Sequence, residues 1–190
     1  MDEITGVSIH PLTPELWQDF EKLFGPRGAC GGCWCMFWKL DRKDFLLNRG
    51  EGNRQLQKTI VEAGDTPGLL AYVDDRPVGW CAIEPRERYP GLGRSRILKP
   101  VDETKVWSVS CFYVERKYRS RGLSIALLKS AVQFAATRGA QVVEGYPTEV
   151  VDKTMPAPFV YTGLASAFLQ VGFTEVARRS AKRPIMRLFI

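Results

Sequence analysis

The chain reads as an α/β domain on a mixed, mostly antiparallel sheet of about seven strands flanked by helices, and three stretches carry that expectation. Residues 106–114, VWSVSCFYV, form an unbroken strand pattern with apolar side chains on both faces, which places the strand inside a sheet. They run through a glycine turn into a long amphipathic helix at 123–138 and on to a strand at 141–146. Strand, crossover helix and strand make one right-handed unit whose strands are parallel. Upstream, residues 69–73 and 78–83, split by Asp74-Asp75-Arg76-Pro77, read as an antiparallel hairpin.

The remaining elements follow in order. Residues 7–12 supply a first strand. Thr13-Pro14-Glu15 starts a helix with a hydroxyl cap, a proline in the first turn and an acid near the positive end, and that helix runs to Gly25. A loop rich in glycine and cysteine comes next. Phe45, Leu46 and Leu47, then Leu56, Ile60 and Val61, predict two helices interrupted at Arg49-Gly50-Glu51-Gly52, and Asp65-Thr66-Pro67-Gly68 ends them. Residues 86–100 form a long basic connection. Along 106–114, alternation puts Val106, Ser108, Ser110, Phe112 and Val114 on one face and Trp107, Val109, Cys111 and Tyr113 on the other. In the long helix Leu127, Leu128, Ala131, Phe134 and Ala135 share a stripe, with Gly139 as its C-terminal cap. A proline-rich loop at 147–162 leads to a short helix at 163–171, and strands at 174–180 and 184–189 complete the layer.

With 190 residues, 45% of them hydrophobic and 25% charged, the chain suits one domain spanning residues 1–190. Acids stand at the start in place of a basic segment, and no long apolar run follows. That predicts neither a signal peptide nor a membrane span, with the cytoplasm as the expected compartment. Five cysteines, three of them at Cys30, Cys33 and Cys35, do not pattern as a secreted disulfide framework and predict reduced thiols. The net charge of +6, with arginines grouped at 86–96, 116–121 and 178–187, suits an anionic ligand. No base-stacking module or groove helix accompanies those arginines, so no specific nucleic-acid partner is expected.

Residues 119–124 read RSRGLS. Free N–H groups at the mouth of a helix favour an anion, Gly122 lets it approach the main chain, and Arg119 and Arg121 add charged forks. This turn resembles the [Arg/Gln]-x-x-Gly-x-[Gly/Ala] loop of the GNAT superfamily of acyl-CoA-dependent N-acyltransferases, with Ser124 where the family has Gly or Ala. Residues 168–173, FLQVGF, are similar to the Tyr-x-x-x-Gly-Phe that closes a C-terminal helix in that family, with Phe168 in place of the tyrosine. The resemblance covers about residues 66–190 and leaves 1–65 as a variable region on the acceptor side. It implies a GNAT-like fold whose parallel pair splays apart, acetyl-CoA as cosubstrate, an amine acceptor on a small molecule or protein and, since members are frequently dimeric, a homodimer. It further implies a diphosphate gripped by Arg119, Ser120, Arg121, Gly122, Leu123 and Ser124. The pantetheine arm would lie along Phe112, Tyr113 and Val114, bonded by unpaired main-chain groups of Phe112 and Val114.

Amine attack on a thioester needs a base for the amine, donors for the oxyanion and an acid for the thiolate. The strand at 106–114 has no carboxylate, where many relatives place the base, and Phe168 has no proton to give. Glu144, two residues from Tyr146 and on the same side of its strand, is the candidate base; otherwise it is a strand glutamate paired with an arginine. Glu84, acting through water, is the second candidate, although its flanks read as a solvated turn. For the acid, Tyr161 and Tyr146 are candidates, since a phenol of pKa about 10 suits a thiolate; either equally serves as a wall. Cys30-x-x-Cys33-x-Cys35 has three thiols and no histidine nearby, whereas structural zinc wants four ligands, so no metal is expected. Trp34, Met36, Phe37 and Trp38 around those thiols predict a hydrophobic lid in which Trp34 and Trp38, with Glu84, touch the acceptor; core packing is the alternative. A module that holds acyl-CoA without transfer fits the missing tyrosine and carboxylate as well.

Overall fold

The structure is a computed structural model that describes residues 6–149 and 160–190, so most of the expected proline-rich loop lies outside the described residues. The strands are β1 (Val7–Pro11), β2 (Gly68–Val73), β3 (Arg76–Pro85), β4 (Trp107–Val114), β5 (Val142–Gly145), β6 (Thr174–Arg178) and β7 (Pro184–Phe189). The helices are α1 (Trp17–Phe24), α2 (Arg42–Leu47), α3 (Glu51–Glu62), α4 (Pro90–Arg94), α5 (Leu123–Thr137) and α6 (Ala165–Val171). One sheet runs in the order β1-β2-β3-β4-β5-β7-β6, with β4 at its centre. Of its pairings only β4 with β5 is parallel, as the crossover through α5 requires.

Two details depart from simple alternation. The hairpin turn is tighter than expected: Asp74 and Asp75 both take positive φ, 49° and 57°, and β3 begins at Arg76. Asp tolerates that conformation, and a two-residue turn of this hand matches strand twist. In β4 the pairing shifts between Ala82↔Cys111 and Ile83↔Val109, so Ser110 is an extra residue. Val109 and Phe112 therefore both join the core beneath α5, while Cys111 and Tyr113 pack toward α1. The expected sharing of one face by Ser108, Ser110 and Phe112 is corrected by this bulge.

Helices α5 and α6 cover one face. Leu127, Leu128, Ala131 and Ala135 of α5 are fully buried against Leu69, Ile83 and Val109, at roughly 1.5–3 kcal/mol for each large side chain. On the other face Trp17, Phe20 and Phe24 of α1 pack with Trp34 and Trp80. A smaller cluster of Tyr89, Leu92, Leu98, Tyr146 and Ile185 lies beneath the connection that contains α4. The parallel ladder has three rungs, Trp107↔Val143, Ser108↔Glu144 and Val109↔Gly145. Beyond them β4 continues to Val114 while β5 ends at Gly145, so the ladder stops and a gap begins between the two strands.

Candidate active site

The turn between β4 and α5 is a sharp one. A short 3-10 turn, Arg116–Tyr118, leaves β4, Ser120 takes φ 58°, and Gly122 sits at φ 81° as the residue before α5. Among the described residues the N–H groups of residues 120–124 have no main-chain partner. A Cβ built on Gly122 would meet nothing within 4 Å, so the approach to these amides is open. Arg119 Nε donates to Val114 O at 2.8 Å, which holds one exposed guanidinium beside the turn, and Arg121 is also exposed. Leu123 is buried under the sheet and anchors the helix, with Ser124 beside it half-buried.

In the gap, the main-chain groups expected to be unpaired have partners within the chain. Phe112 N–H donates to Tyr161 O at 2.5 Å, and Val114 O accepts from Arg119. Buried main-chain groups left without water take whatever polar partner is in reach, and the segment before α6 supplies one. Thr148 N donates to Gly163 O at 2.8 Å and Ala165 N to Thr148 O at 3.1 Å, so residues 160–165 run alongside the continuation of β5. Tyr113 points the other way, its ring 5.6 Å from that of Phe24.

Glu144 is buried on β5 at the middle rung of the parallel ladder, opposite Ser108, within a network of its own. Arg86 Nη1 donates to its Oε1 at 2.8 Å, Arg187 Nε to its Oε2 at 2.8 Å, and Tyr146 Oη to its Oε1 at 2.8 Å. Tyr146, fully buried, also receives Arg86 Nη1 at 2.5 Å and meets Ser108 Oγ at 2.8 Å. Burial, then the neighbouring Glu144 charge, pushes its phenol well above the usual value. Arg187 continues outward to Asp102 through a two-pronged contact of 2.7 and 3.0 Å. Both oxygens of Glu144 are thus engaged by guanidinium groups, and the arrangement ties β4, β5, β7 and the basic connection together.

Glu84 differs. It is buried on β3, paired across the sheet with Ser108, and its one ion-pair partner is Lys39 Nζ, itself buried. Burial raises its pKa above the usual carboxylate value, with Lys39 pulling the other way. Lys39 also lies 5.3 Å over the Tyr89 ring. Tyr89 Oη and Trp38 Nε1 are buried polar atoms without a hydrogen-bond partner among the described residues. Tyr161 is half-buried, with its ring 6.4 Å from Phe37 and 5.9 Å from the Arg183 guanidinium; burial raises its phenol to about 12.

The cysteine segment splits between the two readings it allowed. Trp34 stacks on Phe24 at 5.7 Å inside the α1 core, and the structure does not bring it to the mouth of the gap. Phe37 is exposed and Trp38 half-buried beside Tyr89, outside that core. Cys35 Sγ accepts from Trp80 Nε1 at 3.2 Å. Among the described residues no group of three His, Cys, Asp or Glu side chains is placed to hold a metal ion, and none of the helices is long and apolar enough to cross a membrane. Lys39, Tyr89 and Ser108 carry no sequence signal of their own; only the pairing of Glu84 with Ser108 across β3 and β4 gathers them.

A seven-stranded mixed sheet with one parallel pair, β4 and β5, joined through α5 and flanked by helices, defines an acyltransferase fold. The chain belongs to the Acetyltransferase (GNAT) family, whose family model matches residues 34–157. Solved structures agree on the fold. A GNAT-family acetyltransferase from Listeria monocytogenes superposes with a TM-score of 0.57 at 11% identity, covering 100% of both chains. The PaiA N-acetyltransferase from Thermoplasma acidophilum, in complex with coenzyme A, gives 0.55 at 12% identity over 98% of this chain and 100% of that one. The ribosomal-protein-S5-alanine acetyltransferase from Vibrio fischeri gives 0.53 at 11% identity over 98% and 94%. Among curated proteins none matches the chain.

Proposed function

We propose that the protein transfers an acetyl group from acetyl-CoA to an amine by direct attack of the amine on the thioester. The observation that carries this reading is the open row of amides at residues 120–124 at the end of the strand that also borders the gap. Arg119, Ser120, Arg121, Gly122, Leu123 and Ser124 would hold the diphosphate, and the arm would follow Phe112, Tyr113 and Val114. Seating it there means displacing the Tyr161 carbonyl, whose place on Phe112 N–H then falls to a carbonyl of the cosubstrate.

Glu84 is the proton acceptor in this reading. A carboxylate whose ion-pair partner is one lysine, and whose burial raises its pKa against the pull of Lys39, Tyr89 and Arg88, holds a proton more readily than an ordinary carboxylate. Glu144, engaged by Arg86, Arg187 and Tyr146, serves as the post that fixes the gap, and Tyr146 serves with it. Tyr161, protonated at neutral pH with its phenol at about 12, is the donor for the departing thiolate. Trp38 and the exposed Phe37 border the acceptor's entry, which favours an acceptor with an apolar portion. Five free thiols suit a reducing compartment, and the cytoplasm is where we place the reaction. The test is to incubate the protein with acetyl-CoA and a panel of amines while recording thiol release. Acceptor-dependent release is expected; CoA binding without turnover on any amine would leave a module that holds acyl-CoA.

A further inference from the structure

In the acetyl-transfer reading Glu84 has a role and its buried partner Lys39 has none. A lysine side chain only 7% exposed is tied to a glutamate only 5% exposed, on the acceptor face and not at the surface. Lys39 follows a turn in which its own N–H donates to Met36 O at 3.0 Å, so its stem enters from the cysteine segment. Tyr89 packs beneath the ammonium at 5.3 Å. The pair sits one rung from where the parallel ladder ends: Glu84 pairs with Ser108, Ser108 with Glu144, and the next rung, Val109↔Gly145, is the last before the gap. Adjacent strands are about 4.8 Å apart, and the lysine stem has four rotatable methylene carbons. The amine of Lys39 therefore occupies the position that an acceptor amine must reach to use Glu84.

We propose that Lys39 is itself an acetyl acceptor, modified in cis by the acetyl-CoA bound to the same chain. The inference rests on the acetyl-transfer reading above. Glu84 takes a proton from the Lys39 ammonium, the neutral Nζ forms a bond to the thioester carbonyl carbon, and the C–S bond breaks. The CoA sulfur leaves with the electron pair and takes up, through the Tyr161 phenol, the proton that Glu84 removed, so that Glu84 returns to a carboxylate, and the second proton of the amine goes to solvent. One ammonium and one acetyl-CoA become one acetyl-lysine, one CoA thiol and one proton. The product is neutral, so Glu84 is left without its internal cation and free to receive the ammonium of another acceptor.

Burial separates this reaction from chemical background. Lys22 has a side chain 73% exposed and Lys58 one 36% exposed, against 7% for Lys39, so uncatalysed acetylation labels the first two before the third. The experiment incubates the full chain with acetyl-CoA alone, follows intact mass, and maps the modified residue by peptide mass spectrometry. The expected result is the mass of one acetyl group, located at Lys39, at a rate per molecule unchanged on dilution. Lys39→Arg, which keeps the charge pair, loses that label, and Glu84→Gln slows it about 100-fold or more. Calorimetry with CoA on the same samples separates the two possible failures. CoA binding with Lys39 unmodified, or with label spread over Lys22 and Lys58, overturns this inference and leaves the acyltransferase reading intact. Absence of CoA binding removes both. Labelling of Lys39 that proceeds as fast in Glu84→Gln as in the parent chain also overturns it.

Discussion

Ser108 Oγ lies 2.8 Å from Tyr146 Oη, so the hydroxyls of a β4 residue and of the residue just past β5 meet at the ladder's end. Tyr146 passes this contact to Glu144, and Glu144 passes it to Arg86 and Arg187. A buried chain of charge-assisted bonds braces the end of the ladder.

That chain makes Glu144 a structural residue in our account. Removing one charge of a buried pair typically costs about 3–5 kcal/mol because the partner is left uncompensated. Glu144→Gln is expected to lower the urea midpoint accordingly, and Tyr146→Phe to cost about 1–3 kcal/mol. Neither change should alter the position of the acidic limb of the pH–rate profile, which kinetics on the refolded variants will check.

Glu84→Gln also breaks a buried pair, and what sets it apart is its effect on rate in the folded variant. Loss of a general base costs roughly 100- to 10,000-fold in rate, and kcat is expected to fall by that order while CoA affinity holds. In the parent protein kcat should fall as pH drops through an apparent pKa above the ordinary carboxylate value of about 4.3, because burial raises Glu84. That limb should vanish in the variant; its survival would assign the base elsewhere.

Restoring the family's tyrosine at Phe168 is expected to harm the protein without helping catalysis. The Phe168 ring is fully buried, edge-on to Phe112 at 6.2 Å and Phe173 at 4.9 Å. A Cβ at Gly145 would come within 2.1 Å of it, so the ring has claimed that space. Phe168→Tyr buries a hydroxyl among apolar neighbours, at about 1–3 kcal/mol if unpaired. Thermal unfolding should show the loss, and kcat should not rise.

Asp102 gives a stability prediction with a definite sign. Hydrogen bonds from Arg187, then from Thr104, hold its carboxyl well below the usual range. A depressed pKa contributes stability above the unfolded-state value of about 3.9, and that contribution is lost as pH falls through the folded value. Urea titrations at neutral pH and below pH ~3 should show a larger loss on acidification for the parent chain than for Asp102→Asn.

Much of the fold was legible because its signals are local. The strand at β4, the turn at Gly122 and the stripe of α5 each follow from neighbouring residues, and so does the parallel pairing through the crossover rule. The bulge at Ser110 was not legible, since a serine at that position fits either alternation. The placing of β7 between β5 and β6 depends on register that no single segment encodes. In the site, Glu144 was visible as a strand carboxylate, but its partners Arg86 and Arg187 lie 58 and 43 residues away. The same distance hid Lys39, 45 residues from Glu84, and Tyr161, whose carbonyl reaches Phe112 from the far end of the loop.

The central claim is that the amides of residues 120–124 receive the diphosphate of coenzyme A. Titrating CoA into the protein by calorimetry at moderate ionic strength tests it most directly. We predict saturable one-site heat that weakens about tenfold or more in Arg121→Ala, the loss of one charge-assisted bond of about 1.5–3 kcal/mol. A flat titration of the folded parent chain, or an affinity indifferent to both Arg121→Ala and Arg119→Ala, would contradict the account.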